Sequence, residues 1–276
     1  MLIFKYFFMK IKPTLFLSFF ILICLCSFAQ QDERKFNIHT IAFYNLENLF
    51  DTINDINKND EASPIMEIKF NRSEIYKKKI SNMSKVISQI GYDITKRPPT
   101  VIGICEVENK KVIEDLITDK ELAENNYGIV HYESPDNRGI DVGLIYNKDV
   151  FKVENSNSHE VYITDNNSSK RRNTRDQLVV SGKLDGELMH MIVNHWPSRG
   201  ADETKRIAAA EVNNLIIDSI RKIYKNPKII TMGDFNDDPF DKSIKKVLGA
   251  KKRIDDVGKY DLSLIHISEP TRLPGI

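Results

Sequence analysis

Cysteine is almost missing from this 276-residue chain, which has three. Cys24 and Cys26 fall in an apolar run near the N-terminus, leaving only Cys105 in the body of the sequence. One thiol cannot build a disulfide framework, so stability has to come from packing or a bound ion. Cys105 lies in an apolar segment and reads as an inert core thiol. There is no His-x-x-x-His pair and no cysteine cluster, which removes the usual structural zinc sites. An excess of one charge is lacking too: 40 Lys and Arg stand against 39 Asp and Glu, a formal net charge of +1. That balance neither favours nor excludes a polyanionic partner, because a local patch would suffice. The hydrophobic fraction of 41% supports a sizeable core in one large α/β or all-β domain, or in two small ones.

Neither end reads as fold. Lys5, Lys10 and Lys12 lead into the apolar run from Leu15 to Cys26, and Ser27-Phe28-Ala29 offers small residues before Gln30. This is the pattern of a cleavable signal peptide over residues 1–29, and it predicts a secreted or periplasmic protein. Met9-Lys10-Ile11-Lys12 makes a tidier start than Met1. The run is short for a membrane span. A lipoprotein anchor at Cys24 or Cys26 is disfavoured, since neither follows small residues. At the other end, residues 262–272 match, residue for residue, what a common transposon-based sequencing adapter encodes in one reading frame. Residues 262–276 are therefore read as an adapter-derived tail, against the alternative of a genuine edge strand over residues 262–267. The domain is then residues 30–261, cut short at its C-terminus, and His266 carries no functional weight.

Between these ends, strands and helices alternate. Buried strands are expected over residues 38–44 and 100–105, from their β-branched and apolar runs. Residues 52–70 are rich in Asn and Asp and read as a surface loop. Residues 71–90 place Ile75, Met83, Val86, Ile87 and Ile90 at helical spacing, and Gly91 ends the pattern. Lys77-Lys78-Lys79 reads as its solvated side. A second helix is expected from about Lys111 to Leu122, and strands over residues 127–132 and 140–146 with a turn between them. Residues 151–163 supply one or two short strands. Residues 165–170 form a polar loop whose basic cluster Lys170-Arg171-Arg172 reads as exposed. The clearest hairpin pairs residues 177–184 with 187–194 across Asp185-Gly186, a two-residue turn signal. A long helix over residues 202–224 follows, then a strand at Ile229 and a short helix over residues 241–248.

Four strands end in polar groups: Asn45, Glu106, His195, and Asp234 with Asn236. The last pair closes Lys228-Ile229-Ile230-Thr231-Met232-Gly233-Asp234-Phe235-Asn236, where alternation puts Asp234 and Asn236 on one side of the chain. Catalytic groups are often delivered to one rim of a rigid sheet in this way. A carboxylate with an amide neighbour suits hydrated Mg²⁺, which keeps several waters and takes one or two protein carboxylates. Taken singly, each residue also has a plain structural reading, such as capping a turn, packing beside Trp196, or pairing with Arg138.

Tyr-Asn-Leu-Glu-Asn, Ile-Cys-Glu-Val-Glu-Asn, Arg-Gly-Ile-Asp-Val-Gly, Asn-His-Trp-Pro-Ser-Arg and Gly-Asp-Phe-Asn-Asp occur in that order over residues 38–250. Together they resemble the endonuclease/exonuclease/phosphatase superfamily, whose best-known member is pancreatic deoxyribonuclease I. The resemblance implies a four-layer α/β sandwich, with two mostly antiparallel sheets face to face and helices outside, incomplete at its C-terminal end. It implies Glu106 as the ligand of Mg²⁺ (or of Mn²⁺ or Ca²⁺), helped by Asn45. Asp234 would orient or deprotonate the attacking water, Asn236 would hold the phosphate, and His195 would stabilise or protonate the leaving group. Arg175 fits the family's phosphate-facing arginine, and Asp141 would order the site.

A monomeric, exported endonuclease acting on nucleic acid is the leading expectation. The alternatives are a phospholipase C or sphingomyelinase-like enzyme, a small-molecule phosphatase, and a catalytically dead binding module. Fold alone does not separate them. No apolar hairpin for membrane docking is present, since the Asp185-Gly186 turn is polar, so no stable membrane partner is expected. The family's further acid and terminal Ser-Asp-His have no counterpart before Asp261. The intact parent is therefore expected to be active and the 276-residue chain nearly inactive.

Overall fold

The computed structural model describes residues 37–164, 171–258 and 261–264. The signal segment and Lys170 lie outside these residues. Ten strands alternate with three long helices: β1 (Ile41–Leu49), α1 (Arg72–Gln89), β2 (Val101–Val107), α2 (Lys110–Thr118), β3 (Tyr127–His131), β4 (Asp141–Asn147), β5 (Phe151–His159), β6 (Ile163–Thr164), β7 (Arg171–Arg172), β8 (Gln177–Leu184), β9 (Glu187–His195), α3 (Glu203–Ile223) and β10 (Lys228–Asp234). One sheet has the order β1-β2-β4-β3, a second β10-β9-β8-β5, and β6 pairs with β7 alone. Each four-stranded sheet holds one parallel pair at its edge, β1 with β2 and β10 with β9. The other pairs are antiparallel. A parallel pair needs a crossover, and α1 and α3 lie within those two connections.

Alternation along the strands builds the layers. Val101 and Cys105 of β2 and Val142 and Leu144 of β4 face the second sheet. There they meet Leu178 and Val180 of β8, Met191 and Val193 of β9, and Met232 of β10. The intervening Ile102 and Ile104 turn the other way, onto Ile80, Met83 and Ile87 of α1 and Val112, Ile113 and Leu116 of α2. On the far side, Val179 and Ile192 pack against Ile216, Ile217 and Ile220 of α3. The result is helix, sheet, sheet, helix, as the resemblance implied. Gly103 lets the sheets approach, because a Cβ there would lie 2.7 Å from Met232 Sδ.

Local signals account for most boundaries. Asn109 caps α2 by accepting from Val112 N at 3.1 Å, and Asp202 caps α3 by accepting from Thr204 N at 2.9 Å. Asp185 and Gly186 both take positive φ, 48° and 86°, as a tight hairpin turn requires. One reading needs correction. Residues 52–70 do not form a simple surface loop: they contain a short helix, Pro64–Glu67, and bury Ile65 and Asp60. The short helix expected over residues 241–248 is present as a π-helical turn, Ser243–Leu248. Past Asp261, Ser263 bridges to Lys251, with Lys251 N donating to Leu262 O at 2.7 Å. No helix among the described residues is long and apolar enough to cross a membrane.

Candidate active site

The two parallel pairs end together. Asn45 lies opposite Cys105 in the β1–β2 register, one residue before Glu106. Asp234 lies opposite His195 in the β10–β9 register. The ends of the β1–β2 and β9–β10 ladders thus supply four polar side chains to one rim, and hydrogen bonds join Asn45, Glu106 and Asp234 across the sheets. Asn45 Nδ2 donates to Glu106 Oε1 and to Asp234 Oδ2, each at 3.1 Å. His195 Nε2 lies 3.7 Å from Glu106 Oε1. Glu106, His195 and Asp234 each offer a ligand atom within 4.8 Å of the others.

The backbone is bent to achieve this. The β2–β4 ladder breaks register between Cys105 and Val107, and the β1–β2 ladder between Asn45 and Leu49. Such bulges re-aim side chains at sheet ends. Glu47, Asn48, Glu106 and Asn236 all take positive φ, between 50° and 59°. A residue other than glycine held there costs on the order of 1–3 kcal/mol, and such strain clusters at functional sites. The bent turn has a use: Asn48 N donates to Glu106 Oε2 at 2.9 Å, fixing the carboxylate from its other side.

The lysine run suggests a solvated face, but Lys79 holds that turn. Its ammonium donates to Glu47 O at 2.5 Å and Asn48 O at 3.0 Å. Desolvation lowers its pKa, opposed by the negative charges of Glu47 and Glu106. Lys79 follows Tyr76 by three residues and precedes Met83 by four, so it sits beside the core-facing stripe of α1. That spacing is the signal the lysine run obscured.

Asn45 is expected to help hold the metal. Oδ1 accepts from Glu47 N at 2.8 Å, and Nδ2 faces the two carboxylates. In this structure Asn45 ties Glu106 to Asp234. Asn236 adjoins the site: its backbone N donates to Asp234 Oδ1 at 3.0 Å and its Nδ2 to Trp196 O at 3.0 Å. Arg175 converges on the same carbonyl, with Nη2 2.6 Å from Trp196 O and Nη1 3.4 Å from Asp136 Oδ2. The Arg175 guanidinium is buried, and its Nε has no hydrogen-bond partner. Asp141 is fully buried. It accepts from Ser134 N at 2.8 Å and from Ser134 Oγ at 2.5 Å, and pairs with His131 Nε2 at 3.1 Å. It therefore orders the loop that carries Asp136.

His195 is buried and its Nδ1 finds no partner. Burial, then the cations Arg175 and Arg138, drive its pKa well below the ordinary histidine value, so the ring is neutral near pH 7. Nearby, Glu108 is pushed up to about 7 by burial.

Two buried networks that sequence reading missed hold the rim. Asn213 of α3 donates to Gln177 Oε1 and Asn194 Oδ1, at 3.1 and 2.9 Å, and Trp196 Nε1 donates to Asn194 Oδ1 at 3.2 Å. Arg206 of α3 reaches Asp237 Oδ1 with Nε at 2.6 Å, and Ser198 O and Ala201 O with Nη1, each at 3.1 Å. At Gly233 only glycine fits, since a Cβ would fall 2.3 Å from Asn194 O.

Comparisons with known proteins agree with this arrangement. The endonuclease/exonuclease/phosphatase family model matches residues 40–269. A conserved protein of unknown function from Enterococcus faecalis V583 superposes with a TM-score of 0.50 at 15% identity, over 76% of this chain and 71% of that one. ANGEL2, described as a 2′,3′-cyclic phosphatase, gives 0.51 at 13% identity, over 85% of this chain and 62% of that one. A humanized TDP2 from D. rerio gives 0.45 at 14% identity, over 75% and 65%. The chain thus spans about two thirds of the length of these structures, and the first two, at such identities, speak to fold alone. A search of curated protein sequences finds no match. With a family model covering the sheets, the crossovers and every strand end that feeds the rim, the chain belongs to the endonuclease/exonuclease/phosphatase family.

Proposed function

We propose that the protein is an exported, Mg²⁺-dependent phosphodiesterase that cleaves nucleic acid as a monomer. The observation that carries this reading is the meeting of Glu106, Asp234 and His195 at one rim, with Asn45 tying the two carboxylates together. The donor set suits a hard divalent cation. Glu106 and Asp234 offer carboxylate oxygens, and two protein carboxylates leave coordination positions for water and phosphate, as Mg²⁺ prefers. Mn²⁺ or Ca²⁺ would be accepted by the same oxygens. When bound, the cation supplies charge neutralisation at the phosphoryl and leaving oxygens.

The chain's own groups position and stabilise. Asp234 is fixed by Asn45 and by the Asn236 backbone, which leaves a carboxylate aimed to orient a water or take its proton. Asn48 N and Asn45 Nδ2 hold Glu106 from two sides, so little reorganisation is needed as charge develops. The neutral His195 ring can offer an N–H to a phosphoryl or leaving oxygen without carrying a buried charge. Asn236 and Arg175 share the Trp196 carbonyl, which fixes the amide and guanidinium that would face the phosphate in this reading.

The test is nicking of supercoiled plasmid by the purified full-length gene product. Nicking is expected in Mg²⁺ and not in chelator, with Asp234→Ala slowed at least about hundredfold. Equal nicking by Asp234→Ala would remove the mechanism.

A further inference from the structure

The segment after β1, residues 50–63, covers carboxylates that the rim does not use. Asp60 is 1% exposed and Glu108 7%. The segment closes on both: Glu108 Oε2 accepts from Asp51 N at 2.6 Å, and Asp60 Oδ2 accepts from Asp55 N at 2.8 Å. Burial raises the Glu108 pKa against the hydrogen bond from Asp51 N, and the charges of Asp51, Asp60 and Asp55 raise it further. These acids therefore lie within one another's fields.

A buried carboxylate needs a cation or a full set of hydrogen bonds. Asp60 has neither. Among the described residues, Asp51, Asp55, Asp60 and Glu108 make no ion pair. Lys58, the cation of the segment, is engaged with Ser134 O at 3.2 Å and lies 3.7 Å from Glu133. Asp60 Oδ1 finds no hydrogen-bond partner, and neither does Ser63 Oγ, on a residue 6% exposed. Both oxygens belong to one turn, since Ser63 N donates to Asp60 O at 2.8 Å. Oδ1 shares its carbon with the Oδ2 that Asp55 N holds, so it is pinned against the inside of the segment.

The donors on offer are all oxygens: carboxylates, a hydroxyl and the carbonyls of an irregular stretch of chain. That set suits Ca²⁺, which takes about six to eight oxygens in flexible geometry, better than Mg²⁺, which demands a near-ideal octahedron. Zn²⁺ would call for nitrogen or sulfur. Among the described residues these acids do not bring three ligand atoms within 4.8 Å of one another. A cation here therefore draws also on backbone carbonyls and water, which Ca²⁺ accepts.

We propose that residues 51–63 hold a structural Ca²⁺ ion, anchored on Asp60 Oδ1 and balancing the charges of Asp55 and Glu108. The ion fastens the segment that continues from β1, and it does so whatever bond the rim cleaves. The inference is therefore independent of the phosphodiesterase reading.

The experiment is thermal unfolding of the full-length gene product carrying Glu106→Gln and Asp234→Asn, which silence the rim as a cation site. Extracellular Ca²⁺ modules bind with Kd of about 10⁻⁴–10⁻³ M. Ca²⁺ at about ten times the upper value should then raise Tm by at least about 3 °C, and NaCl of equal ionic strength should not. Adding Asp60→Asn should abolish the rise. Without Ca²⁺ the Tm of that variant should stay level or climb, because Asn keeps an acceptor for Asp55 N and drops the unpaired charge. A rise that persists in Asp60→Asn, a rise matched by NaCl, or no rise before Asp60 is changed would overturn the site. The last two outcomes need no folded Asp60 variant. None of these readouts involves turnover, so failure here leaves the phosphodiesterase reading untouched.

Discussion

Arg206→Met isolates what holds the catalytic turn. Arg206 Nε lies 2.6 Å from Asp237 Oδ1, with side chains 8% and 1% exposed. Losing the guanidinium leaves the Asp237 carboxylate buried with Ser243 Oγ, at 2.5 Å, as its remaining hydrogen bond, and strips a donor from Ser198 O and Ala201 O. Removing one partner of a buried ion pair costs about 3–5 kcal/mol, more than the pair itself is worth. In a domain of this size each kcal/mol moves Tm by about 2–4 °C, so a loss of about 6–20 °C is expected. The assay is thermal unfolding followed by circular dichroism, backed by urea titration. A double-mutant cycle sharpens it. Replacing Asp237 by Asn in the same chain removes the stranded charge, so the double variant should be more stable than Arg206→Met alone by at least about 2 kcal/mol. Asp237 follows Asn236 and lies three residues past Asp234, so the single variant should also lose activity while still folded. If Arg206→Met stays within about 1 kcal/mol of the parent, the reasoning about this clamp is wrong.

Other perturbations follow from the same geometry. His195→Ala should cut turnover at least about hundredfold in steady-state assays with Mg²⁺, with the fold retained by circular dichroism. Lys79→Met should loosen the 47–48 turn and, through Asn48, the Glu106 carboxylate. Higher Mg²⁺ should then be needed for half-maximal activity, and an unchanged requirement would show that the turn holds itself. His190 is buried against Ser181 and Tyr224, and burial lowers its pKa. Its folded pKa lies below the unfolded value of about 6.5, so the unfolded chain binds more protons between the two. Stability from this group is present above about pH 6.5 and declines as pH falls below it. Urea midpoints at pH 7.5 and 5.5 should draw together in His190→Gln.

Much of the site is legible in the sequence because strand ends are. Asn45, Glu106, His195 and Asp234 each terminate a β-branched or apolar run, and parallel pairing of those runs brings their C-terminal ends together. The resemblance implies the four layers, and in the structure alternation builds them, with Ile102 and Ile104 to the helices and Val101 and Cys105 to the opposite sheet. What stays hidden depends on tertiary partners. Asp60 sits in an Asn- and Asp-rich stretch that hydropathy marks as exposed, yet it is buried and accepts from Asp55 N at 2.8 Å. Lys79 differs from Lys77 and Lys78 only by its angle around α1. Arg206 lies on an Ala-rich helix, and nothing local signals that Asp237 will meet it. Asn45 was legible as a polar strand end, but the direction of its amide is decided by Glu47 N. Asp141 was legible by motif, whereas its partners Ser134 and His131 come from the neighbouring loop and strand.

In the proposed mechanism Glu106 and Asp234 gather a divalent cation at the rim. Crystals soaked in Mn²⁺ and measured at the manganese absorption edge test it without any need for turnover. One anomalous peak in contact with Glu106 and Asp234 oxygens is the result expected, and Glu106→Gln should abolish it. A peak confined to the second cluster of ligand-type side chains, His131, Glu133 and Asp141, or no peak at saturating Mn²⁺, would contradict the account.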